Sequence, residues 1–190
     1  MKVLIACEYS AIVRDAFRMN GHDAWSCDLL PTEGNPRWHI QGDVLKILDN
    51  GWDLMIAHPP CTYLANSGVR WFYEDVYRWP KLFEAADFFN ELKNAPINKI
   101  AIENPIHHKY ARALVGAQHS EKYQPWNFKD DETKAICFHL KNLNPLRRWV
   151  TKKPEHVEAR VWKMPPGPER QKERSRFFKG IAKAMAEQWS

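Results

Sequence analysis

Two short stretches of the sequence place chemically capable side chains directly beside prolines. Asp53 to Gly68 reads Asp-Leu-Met-Ile-Ala-His-Pro-Pro-Cys-Thr-Tyr-Leu-Ala-Asn-Ser-Gly, and Glu103-Asn104-Pro105 closes a second apolar run that begins at Asn98. Leu54 to Ala57 fits a buried strand, and the prolines after it can neither donate ladder hydrogen bonds nor continue it, so the strand must stop at His58. Pro59 also holds His58 extended, and the backbone therefore delivers Cys61 stiffly to the carboxyl edge of the sheet. Ligands bind at that edge in open α/β sheets. Cys61 is thus a candidate nucleophile, with a thiol packed at a strand end as the alternative. Glu103 brings a carboxylate to the same edge.

The elements that must position these groups follow from the hydrophobic pattern. Lys2 to Cys7 reads as a strand, and Ala11 to Met19 as an amphipathic helix with Ile12, Val13, Ala16 and Phe17 on one face and Gly21 as its C-terminal cap. Asp23 to Cys27 is a second strand ending at Asp28, and a β-α-β opening implies a right-handed crossover and parallel pairing. Asp28 is placed either to accept hydrogen bonds from a ribose or to cap a turn. After a polar loop from Pro31 to Arg37, Asp43 is suited to cap a short helix carrying Val44, Ile47 and Leu48, closed by Gly51. Strands alternating with helices argue for an α/β, Rossmann-like, mostly parallel sheet with helices on both faces.

Leu64 to Tyr77 lacks a clear period and reads as a mobile loop beside Cys61, of the kind that closes over a substrate. Pro80 suits a first helical position, followed by a buried stripe of Leu82, Ala85, Ala86, Phe89 and Leu92 up to Lys93. His107 and His108 are adjacent and lack metal-ligand partners at useful spacing, so they read as solvent-facing or helix-start residues. Further on, the pattern suggests a strand over Lys122 to Phe128, a helix capped by Asp131 or Thr133 and running to about Lys141, and a last strand over Leu146 to Val150. Phe178, Ile181, Ala182, Met185 and Trp189 recur at helical spacing and predict a docked C-terminal helix.

The 190 residues suit a single domain, 1–190. The opening residues contain neither a signal-peptide pattern nor a membrane span, which leads to the expectation of a cytoplasmic protein. Cys7, Cys27, Cys61 and Cys137 are scattered, so reduced thiols are expected rather than disulfides or a metal site. Nine Trp residues should mostly be core, with any exposed ones available for base stacking. Residues 147–179 carry eleven Lys or Arg against four Glu and should wrap the surface. Such a segment suits either a phosphate-bearing partner or plain solvation.

Taken in order, the opening strand and helix, Asp28, Gly42-Asp43-Val44, His58-Pro59-Pro60-Cys61 and Glu103-Asn104-Pro105 resemble the DNA (cytosine-5) methyltransferase family. The resemblance is to the small methyltransferase-like proteins of phages and prophages that lack a target-recognition domain. It extends from residue 1 to about 105, and Gly180 to Ala186 resembles the family's closing glycine and helix. It implies a seven-stranded fold that uses S-adenosylmethionine. By similarity, Glu8, Tyr9, Ser10 and Ala11 would approach the methionine part of the cofactor, Asp28 its ribose and Asp43 its adenine amino group, with His58 and Pro59 also beside it. Cys61 would attack C6 of cytosine, and Glu103 would bind N3 and the amino group. Arg160 would stand in for a glutamine-arginine-arginine motif. DNA, duplex or single-stranded, would be the substrate, and a phage protein would act in its host's cytoplasm.

The chain departs from the family pattern in two places. Its first loop, Cys7-Glu8-Tyr9-Ser10-Ala11, contains no glycine, and it has no long recognition domain. Recognition would then fall to the basic segment or to another protein, and RNA or a nucleotide stays open as substrate. A second reading is a catalytically silent methyltransferase-like protein that binds nucleic acid or a host protein.

Overall fold

The computed structural model describes residues 1–116, 119–165, 167, 170, 173 and 176–190. Seven strands form one sheet: β1 (Lys2–Ala6), β2 (Asp23–Asp28), β3 (His39–Gln41), β4 (Leu54–Ala57), β5 (Lys99–Asn104), β6 (Glu121–Tyr123) and β7 (Ile136–Lys141). Their order is β3-β2-β1-β4-β5-β7-β6. The first five are parallel, and β7 runs antiparallel between β5 and β6. The sheet is thus the Rossmann-like, mostly parallel arrangement expected, and its strand order reverses between β1 and β4, where a doubly wound sheet opens a ligand crevice.

Both faces of the sheet are covered, which explains why the strands read as continuous apolar runs. Val3 and Ile5 of β1 point to a layer built from α1 (Ile12–Met19) and the C-terminal helix, where Phe17, Ile181 and Met185 are buried. Leu4 and Ala6 point to the opposite layer, where α2 (Arg78–Lys93) contributes Leu82, Phe89 and Leu92, and α3 (Lys109–Val115) contributes Ala111 and Val115. A short helix α4 (Arg160–Lys163) precedes α5 (Lys179–Gln188), which docks on α1. Among the described residues, no helix is long and apolar enough to cross a membrane.

Several elements differ from the sequence reading. Residues 64–77 form a pinned segment: Asn66–Phe72 is 3-10 helical, the Asn66 N–H donates to Ile106 O at 2.7 Å, Ala65 bridges His107, and Phe72 is buried. Pro80 is the third residue of α2, which already begins at Arg78. Pro125 limits β6 to three residues and opens a 3-10 turn, Pro125–Phe128. The stretch read as a helix up to Lys141 is strand β7, buried on both faces, a pattern whose period alone cannot separate it from a buried helix. Leu146 to Val150 is irregular, tied down where the N–H groups of Trp149 and Val150 donate to Asn127 O. Part of the basic segment, at 166, 168, 169, 171, 172, 174 and 175, lies outside the described residues.

His107 and His108 are buried rather than solvent-facing, and His108 takes the helix-start place that was the other expectation. His108 caps α3 by accepting from the Ala111 N–H, while His107 stacks on His139 of β7 with ring centroids 5.2 Å apart. Burial lowers the pKa of His107 to about 4, helped by the positive charges of His108, His119 and Arg112, and that of His139 to about 3, helped by those of His107, His119 and Lys93. An unfolded His titrates near 6.5, so the unfolded chain binds more protons below that pH. Stability is therefore full above about pH 6.5 and falls with pH through the two folded-state values, with roughly 1–2 kcal/mol lost per ring by pH 5. The urea midpoint should drop between pH 7.5 and 5, and His139→Phe, which keeps a ring in the stack, should show a shallower drop. Parallel pH profiles for the two proteins would refute this account.

Candidate active site

β1, β2, β4 and β5 end on one side of the sheet, and the loops that leave them line a cleft of about 1590 Å³. Cys61, Glu103, Glu8, Tyr9, Ser10, Asp28, Asp43, His58 and Pro59 all line it. The structure therefore brings together the thiol, the strand-end carboxylates and the first loop. Two of the expected residues are elsewhere. Ala11 is buried beneath the loop, and Arg160 is an exposed residue outside the cleft wall that pairs with Glu173 at 3.2 Å and Glu132 at 3.8 Å.

The two proline turns are braced against each other. The Asn104 side-chain amide donates to Pro59 O at 3.0 Å, and its carbonyl accepts from the His107 ring at 3.0 Å, so β5 holds the turn that presents Cys61. Beyond the turn, the N–H groups of Leu64 and Ala65 return to Cys61 O. Glu103 is buried, with Oε2 3.5 Å from His58 Nδ1 and Oε1 without a hydrogen-bond partner among the described residues. Burial alone would raise its pKa, but the His58 hydrogen bond and the nearby Lys134 charge outweigh it and hold the carboxyl below its ordinary value. Phe177 packs on the His58 ring at 4.6 Å. His58 thus bears on Glu103.

The sequence reading missed Lys134 and Phe177. Lys134 lies just before β7, and a strand there swings it beside β5, whereas a helix would not. Phe177 comes from the far end of the chain, and no local pattern links it to His58.

The first loop solves its geometry without glycine. Cys7 and Ala11 adopt φ of 58° and 64°, left-handed backbone that glycine takes at no steric cost. The Glu8 carboxylate turns inward and accepts from the N–H groups of Val13 at 2.7 Å and Arg14 at 3.1 Å, capping the start of α1. Burial pushes its pKa up, against the opposing pull of His58 and these N–H groups. The loop is also held from above, since Thr32 Oγ1 and the Glu33 N–H both donate to Tyr9 O. Ala11→Gly should relieve the strained backbone and stabilise the fold by about 1 kcal/mol, read as a higher urea midpoint. A lower midpoint would mean that the buried Ala11 methyl contributes more than its φ costs.

At the β2 and β3 end of the cleft, Asp28 caps its own turn through the Leu30 N–H, and Asp43 caps the 3-10 turn Val44–Ile47 through the Leu45 N–H. Leu29 and Leu30 are exposed and line the cleft beside Asp28. Two carboxylates and two exposed apolar side chains thus share this end of the cleft. Among the described residues, no cluster of three or more His, Cys, Asp or Glu is placed to hold a metal ion.

No family profile matches the chain, and no curated protein matches it. Among solved structures, a prophage-encoded E. coli protein named as a DNA modification methyltransferase superposes with a TM-score of 0.48 and 15% identity, covering 86% of this chain and 55% of that one. The Entamoeba histolytica methyltransferase EhMeth superposes with a TM-score of 0.45 and 13% identity, covering 82% and 56%. The chain therefore spans little more than half the length of either. At such identity no residue roles carry over, and they must be argued from this chain's own geometry.

Proposed function

We propose that the chain is an S-adenosylmethionine-dependent methyltransferase that modifies C5 of cytosine in DNA. The observation that carries this reading is the delivery of Cys61 and Glu103 from the ends of β4 and β5 into one cleft with Asp28 and Asp43 at its other end. In the proposed reaction, the Cys61 thiolate forms a bond to C6. The C5=C6 pair then moves between C5 and C4, and the C4=N3 pair moves onto N3. A proton held between Glu103 and His58 neutralises N3, while the Glu103 carboxylate accepts from the amino group. Asp28 and Asp43 would hold the cofactor, which supplies an electrophilic methyl group to the enriched C5. Loss of the C5 proton to solvent water and departure of the Cys61 sulfur as thiolate restore the C5=C6 bond and leave N3 free to return its proton to the Glu103–His58 pair.

Transfer of labelled methyl to duplex DNA, single-stranded DNA, RNA and dCMP tests the reading, with 5-methylcytosine recovered on digestion as the expected result. The inward-turned Glu8 favours a second reading, a silent binding protein, because that carboxylate is committed to α1 and unavailable to a ligand. Failure to bind S-adenosylmethionine at millimolar concentration would favour this second reading.

A further inference from the structure

The cleft that holds Cys61 is also lined by Trp71 and Arg78, and the segment that carries them bears further exposed rings and cations. Trp71 lines the cleft yet remains 43% exposed, with the Arg70 guanidinium 4.3 Å from its ring. Tyr73 and Tyr77 are 68% and 83% exposed. The Tyr73 hydroxyl meets that of Tyr110 at 2.9 Å, and Lys109 lies 4.8 Å from the Tyr110 ring. Arg78 also lines the cleft. It lies 4.8 Å over Tyr63 and donates to Thr62 O, the residue after the thiol, while its Nε has no hydrogen-bond partner among the described residues.

The segment is anchored through Phe72 rather than collapsed onto its own rings. Phe72 is buried against Trp79 and His108, which fixes the neighbours of Trp71 in place and leaves the other rings outward. Large aromatic side chains held out in water lose stability that burial would have gained, so their exposure calls for a partner. Two acids, Glu74 and Asp75, share the stretch, and Asp75 is turned back to accept from the Tyr77 N–H. Arg70, Arg78 and Lys109 remain as cations set among the rings.

We propose that this segment is a track for single-stranded nucleic acid, in which bases flanking the target stack on Trp71 and Tyr77 and their phosphates meet Arg70 and Arg78. The proposal rests on the methyltransferase reading of the same cleft and narrows its substrate. Paired bases hide their faces in the duplex stack, whereas unpaired bases offer them to an exposed ring. A pinned segment with rings outward therefore suits a strand already unpaired.

Anisotropy of a labelled cytosine-containing single strand, against the same sequence as duplex, tests this with the full chain. The single strand should bind at least about tenfold tighter; Trp71→Ala and Tyr77→Ala should each lose about fivefold to tenfold, with Trp71→Phe and Tyr77→Phe restoring most of it. Arg78→Gln should reduce the salt dependence of binding. Tighter duplex binding, absence of nucleic-acid binding, or alanine variants that bind like the wild type would overturn the proposal. So would a wild-type dimer that Tyr77→Ala converts to monomer, since the segment would then be a self-interface. Ring-dependent strand binding without any methyl transfer would sink the proposed reaction and leave the track standing; methyl transfer to duplex alone would do the reverse.

Discussion

Cys61→Ser is expected to lower methyl transfer by at least about a thousandfold, because a serine hydroxyl beside C6 lacks the nucleophilicity of a thiolate. The fold should be undisturbed. Cys61 is half-buried on a turn held by backbone hydrogen bonds, which serine leaves intact. A strand carrying fluorine at C5 of the target cytosine separates this outcome from a binding defect. Fluorine cannot leave as a proton does, so the wild type should remain covalently attached through denaturation while Cys61→Ser should not. Glu103→Gln should also be inactive, but for another reason, since the amide can neither pass a proton to N3 nor exchange one with His58. Comparable activity in Cys61→Ser would remove the covalent mechanism outright.

Gly180→Ala should destabilise the protein by about 3 kcal/mol or more, read directly as a lower urea midpoint. A Cβ at position 180 would stand 2.1 Å from Phe128 O and 2.5 Å from the Asp130 carboxylate, and the first of these is backbone that cannot turn aside. The Gly180 N–H donates to both Asp130 oxygens, at 3.1 and 3.0 Å, so the clash falls where α5 is capped by a residue fifty positions away. Moving α5 outward to relieve it would also disturb Ile181 and Met185, which are fully buried against the sheet. A midpoint within experimental error of the wild type would show that α5 shifts freely, contrary to its packing.

The sequence by itself determined most of the sheet up to residue 105. Its cues there are local: prolines that stop strands at His58 and Pro105, apolar runs flanked by turn residues, and a helical period in residues 12–17. The same cues placed Cys61, Glu103, Asp28 and Asp43 at strand ends, and these ends share a cleft because parallel strands all deliver their carboxyl termini to one edge. Beyond residue 105, tertiary context decided. β7 is buried on both faces by β5, β6 and the two core layers, which erases the alternation that marks a strand. The contacts that tune the site are likewise non-local. Lys134 and His58 beside Glu103, Phe177 on His58, and Asp130 on α5 join residues far apart in the chain, and no periodicity within a single element encodes such pairs.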